Sequence, residues 1–154
     1  MLEIIPFNLH WLNNSSPEND WCVYGGFTLT NNNEMIIDAA DEVLALSAAV
    51  IFLLRTIEKD HSFGTKICEH LIPECADMYV SSSGHVEFIN CPFGIDWWME
   101  HSNEKVTLVF EDGREIITSL KDYIRAVLAF AEKIKAFYKE GEPKKFYDEE
   151  EKSI

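Results

Sequence analysis

The residues best suited to recognition lie at 95–101, IDWWMEH. On an extended strand, successive side chains point to opposite faces. Trp97, Met99 and His101 therefore share one face, and Asp96, Trp98 and Glu100 share the other. One tryptophan is expected to enter the core. The second, Trp98, then stands between two carboxylates, a composition that suits an interface anchor against cationic residues. The competing reading is that another element of the chain covers Trp98. The expected partner-binding residues are Asp96, Trp98 and Glu100.

A metal site would have to come from Cys68, His70, Cys75, His85 and Cys91. Cys68 and His70 share one face if the chain there is a strand. The set contains no CxxC pair and no HExxH pair, and no zinc-finger spacing. Neither a metal nor another cofactor is expected. A nucleophilic cysteine needs a cationic or imidazole neighbour to lower its pKa. His70 and His85 are candidates, but sequence alone does not bring them to a cysteine. No phosphate-binding loop, GxGxxG or GxSxG motif occurs. The paired carboxylates Glu111 and Asp112 fall in a predicted turn and are expected to be solvated. The residues thus point to binding rather than to catalysis.

Charge supports that direction. The formal net charge is −14, and it is unevenly spread. Residues 1–54 hold seven acids and no Lys or Arg, and residues 67–104 do the same. Elsewhere acids and bases balance, so the whole excess lies in these two stretches. Such a surface repels nucleic acid and anionic membranes. Either it serves solubility, or its field steers a basic protein partner.

These residues must be positioned by a chain of 154 residues, long enough for one domain with a sizeable core. The expected domain spans 1–141, with a charged, frayed tail at 142–154. The N-terminal sequence Met1-Leu2-Glu3 lacks a basic leader region, and the four cysteines are widely spaced. Both features predict a cytoplasmic protein with reduced thiols.

The most apolar stretch is residues 43–57, VLALSAAVIFLLRTI. It is too short for a membrane helix, which needs about 20 residues. It is also too uniformly apolar for an amphipathic surface helix. A helix buried nearly all round is predicted, running to about Asp60. Its start is either capped by Ser47 or lies earlier, near Ala40, capped by Asp38.

Before it, residues 2–12 read as a strand, 13–20 as a polar loop and 21–30 as a second strand. Gly25-Gly26 in that strand predicts a bulge or a close backbone approach. Asn31 to Asn33 form a turn, and residues 34–37 a short returning strand. After the helix, residues 66–72 are expected to be extended. Residues 78–80 and 85–90 form a hairpin, and 91–94 a hinge. Residues 95–101 and 106–110 follow as strands, and Asp112-Gly113 signals a further hairpin.

Residues 120–139 form an amphipathic helix with apolar positions Leu120, Tyr123, Ile124, Val127, Leu128, Ala131, Ile134, Phe137 and Tyr138. Ser119 and Asp122 form a capping pattern, and Gly141 supplies the stop. The short connections favour antiparallel pairing. The fold class is α+β: a mostly antiparallel β-sheet with a buried central helix and a C-terminal amphipathic helix.

The segments SAAVIFLLRTIEKDH, IPECADM, FINCPFGIDWWMEH with VTLVFEDG, and FAEKIKAFYKEGEPKK together resemble a family of small bacterial proteins of unassigned function, over residues 47–145. That resemblance carries no catalytic residues. In size, acidity and lack of a catalytic motif the chain is also similar in type to immunity proteins of bacterial toxin systems. This likeness implies a cytoplasmic inhibitor of one toxin domain, often a basic nuclease. The alternatives are a phage-encoded inhibitor of a host defence enzyme, a small enzyme using the Cys/His set, and a protein that dimerises through a sheet edge.

Overall fold

The computed structural model describes residues 1–11, 22–62, 70–90 and 93–140, and the side chains of all these except 77–80 and 86–90. The fold is α+β, with every strand pair antiparallel among the described residues.

The first sheet is a meander of β1 (Leu2–Trp11), β2 (Val23–Asn31) and β3 (Glu34–Ala45), in that order. Asn32 and Asn33 turn β2 into β3 with positive φ, which asparagine tolerates. At the centre of β2 both neighbouring strands shift register. Gly26 lies so close to β3 that an added Cβ would stand 2.2 Å from the Ala39 carbonyl oxygen. The predicted close approach at Gly25-Gly26 is therefore real, and it is backbone on backbone.

β3 is three times longer than the short strand expected at 34–37, and it absorbs Val43 and Leu44. The helix α1 (Leu46–Arg55) follows without a break. Neither expected start is correct. Ala45 occupies the cap position and forms no side-chain cap. Ser47 lies inside the first turn, and its hydroxyl instead accepts the Val23 N–H at 2.8 Å. Pairing of Ala45 with Tyr24 extends the sheet until the helix begins. The helix is also not buried all round: Leu46, Ala48, Ala49 and Leu53 are buried, whereas Val50, Ile51, Phe52 and Leu54 are half-exposed.

Two short ladders come next. β4 (Ile72–Pro73) pairs with β7 (Gly94–Ile95), and β5 (Ala76–Val80) with β6 (Val86–Asn90), the predicted hairpin. Most of 66–72, and the hinge residues Cys91 and Pro92, lie outside the described residues.

The second sheet is β8 (Trp97–Ser102), β9 (Lys105–Phe110) and β10 (Glu115–Ser119), in the order β10-β9-β8. Gly113 turns β9 into β10 at φ 90°. Beside it, Arg114 donates to the Met35 and Ile36 carbonyls at 3.2 and 2.6 Å, tying this hairpin to β3 where β3 slips register.

The helix α2 (Leu120–Glu140) starts with the Ser119 hydroxyl accepting the Asp122 N–H at 3.1 Å. Its buried stripe is Tyr123, Ala126, Val127, Phe130 and Ile134. This stripe is rotated from the expected one: Phe130 is buried and Leu128 is exposed. Phe137 and Tyr138 pack on Trp11, each with ring centroids at 5.1 Å. Gly141 and the tail at 142–154 lie outside the described residues.

The main core lies between the two sheets and both helices, and it takes in Leu46, Ala49 and Leu53 of α1 with the buried stripe of α2. Trp97 is fully buried there, 6.4 Å from Phe27 of the first sheet and 6.0 Å from Phe110 of the second. Among the described residues no helix is long and apolar enough to cross a membrane.

Candidate functional site: the outer face of β8, β9 and β10

The alternation expected for residues 97–101 holds. Trp97 and Met99 are fully buried, while Trp98 is 43% exposed and Glu100 is exposed. Register then adds neighbours that the local pattern cannot supply. Trp98 pairs across to Val109, which pairs to Glu115. Glu100 pairs to Thr107, which pairs to Ile117. Directly opposed and diagonal residues on one sheet face are within side-chain reach. The outer face thus carries Trp98, Val109 and Ile117 as an apolar strip flanked by Glu100 and Glu115. Ile117 is 66% exposed, so no described element covers the strip.

Asp96 does not belong to this face. It lies between β7 and β8, outside both ladders, and is buried. The chain turns there because Ile95 is bound to Ile72 in one ladder and Trp97 to Phe110 in another. The carboxylate points inward, accepting the Leu71 N–H at 3.1 Å and meeting His61 Nε2 at 2.7 Å. A buried carboxylate is costly unless it has such partners. The expected trio thus reduces to Trp98 and Glu100.

His61 is half-buried, and it is held on both sides of its backbone by Met99, at 3.0 and 2.7 Å. A second imidazole–carboxylate pair lies next to it. Asp60 accepts the backbone N–H of His101 at 2.7 Å and sits 2.8 Å from His101 Nδ1. Hydrogen bonds from the His101 ring, and then from its backbone, hold the Asp60 carboxyl below the usual range. These two pairs staple the segment after α1 along the edge of β8. They were missed in the sequence because 35 and 41 residues separate the partners.

Cys75 and His85 are exposed and His70 is half-buried, while Cys68 and Cys91 lie outside the described residues. Among the described residues no group of three or more His, Cys, Asp or Glu side chains is arranged to hold a metal ion.

No family model matches the chain, and neither a curated protein nor a solved structure shows significant similarity to it.

Proposed function

We propose that this protein is a binding inhibitor of the immunity type, which neutralises a basic toxin domain by docking on the outer face of β8, β9 and β10. The observation that carries this reading is the strip of Trp98, Val109 and Ile117, open to solvent and flanked by Glu100 and Glu115. Aromatic anchors at the centre of a dry patch supply most of the energy of a protein interface. The acidic rim, within a net charge of −14, favours a partner of opposite sign. An inhibitor of a host defence enzyme would use the same face, with the same electrostatics. A toxin encoded beside the gene distinguishes the two.

The test is co-expression with the basic toxin domain encoded next to this gene. The wild-type protein protects the cell. The folded double variant Trp98→Ala, Ile117→Ala does not. Absence of such a toxin gene, or full protection by the double variant, refutes the reading.

A further inference from the structure

The segment between α1 and His61 forms a cleft of about 200 Å³, well away in sequence from the Trp98 strip and lined by Phe52, Arg55, Thr56, Lys59, Asp60, His61 and Leu71. The geometry points to this cleft as a binding site for a small phosphate, free or as a monoester.

Placement of charge is the first argument. Residues 1–104 contain three Lys and Arg side chains, Arg55, Lys59 and Lys66. Two of them line this one cleft, within an otherwise acidic stretch of the chain. Among the described residues neither Arg55 nor Lys59 is in an ion pair. The Arg55 guanidinium rests over the Phe52 ring, 5.4 Å from its centroid, which holds its fork at the cleft wall.

The second argument is that the nearby carboxylates are already engaged. Asp60 is held by two hydrogen bonds from His101. Asp96 is held by His61 and by the Leu71 N–H. With Nε2 on Asp96 and its backbone bonded to Met99, His61 is fixed in the cleft wall, where its ring reports on an occupant.

Offsetting the helix dipole is the competing role for Arg55 and Lys59. The last carbonyls of α1 are already bonded, however. Phe52, Leu53, Leu54 and Arg55 accept N–H groups of residues 56–59, and His101 Nε2 lies 3.1 Å from the Ile57 carbonyl. A guanidinium fork and an ammonium together suit a phosphoryl oxyanion. The volume admits a phosphate with a small substituent, and the surrounding acidic field excludes a polyanion.

The experiment follows the His61 ring nitrogens by NMR at constant ionic strength. Inorganic phosphate is the probe in one arm and phenyl phosphate in the other. The expected result is a saturable shift of the His61 signals, with half-saturation at about 1 mM or below. Arg55→Gln and Lys59→Gln, both at exposed positions, each weaken it about tenfold, whereas Lys121→Gln on α2 leaves it unchanged. Tighter binding of phenyl phosphate assigns the site to monoesters, and equal binding assigns it to free phosphate. A shift that never saturates, or one that survives Arg55→Gln, overturns the proposal. Neither result bears on docking at Trp98.

Discussion

Trp97 and Trp98 are consecutive on β8 and face opposite ways: Trp97 is fully buried between the sheets, and Trp98 is 43% exposed on the outer face. Their substitutions should therefore separate stability from binding. Trp97→Ala should cost about 3–5 kcal/mol in urea unfolding, because it opens a cavity beside Phe27 and Phe110. Trp98→Ala should cost under about 1 kcal/mol in the same assay. Under the docking reading it should raise the partner's dissociation rate and weaken binding by about 2–4 kcal/mol. Equal destabilisation by the two would refute the assignment of faces.

Charge on the rim should act on association instead. Glu100→Lys with Glu115→Lys should slow capture of a basic partner and leave the melting temperature within a few degrees. Stopped-flow association of the wild-type protein should slow as salt rises, since these carboxylates are exposed to screening. A rate independent of salt would remove the electrostatic part of the proposal.

Gly26 has no room for a side chain. An added Cβ would stand 2.2 Å from the Ala39 carbonyl oxygen and 2.3 Å from that of Ala40. Both are backbone atoms and neither can rotate away. Gly26→Ala should cost more than about 2 kcal/mol in chemical denaturation. Gly84→Ala, where nothing lies within 4 Å but φ is +85°, should cost about 1–2 kcal/mol from strain alone.

Tyr123 is buried, and its hydroxyl lies 2.5 Å from Thr56 Oγ1, which in turn donates to the Leu53 carbonyl at 2.6 Å. The tyrosine is thus the donor to Thr56. Tyr123→Phe should cost about 1 kcal/mol, and Thr56→Val should cost about 1–3 kcal/mol because it leaves a buried phenol without a partner. Burial pushes the Tyr123 phenol well up. Its contribution to stability is therefore complete below the unfolded value of about 10 and is lost as pH rises above it. Tyr123→Phe should flatten the alkaline limb of the unfolding curve.

At the acid end the relevant pair is Asp60 and His101. Hydrogen bonds from His101 hold the Asp60 carboxyl low, so its contribution is present above the unfolded value of about 3.9 and is lost as pH falls below it. Asp60 is exposed, and the effect should be small but directional. Asp60→Asn should make the wild-type and variant curves converge below about pH 4. A constant offset down to lower pH would mean that the pair does not titrate with folding.

Period and punctuation in the sequence determined much of this molecule. That Trp97 and Trp98 face opposite ways was legible because a strand alternates its faces whatever it packs against, but which of them turns outward was decided by the fold. The turns at Asn32-Asn33 and Gly113 were legible because few residues accept positive φ, and α2 because its apolar spacing repeats over five turns. The charge asymmetry needed no structure at all. Only the tertiary structure decided what lies across from each residue. Asp96 follows the alternation on paper, yet it is drawn inward by His61 and Leu71, because two ladders meet at that point. Ser47 could have capped a helix, but pairing of Ala45 with Tyr24 carried the sheet past the expected start. Ile117 joined Trp98 through register, and Arg55 and Lys59 met His61 through the turn after α1. Local pattern reports which side of an element turns inward, because burial acts on each residue separately. Register, bulges and closure depend on energies shared between distant segments, and no window of sequence contains both partners.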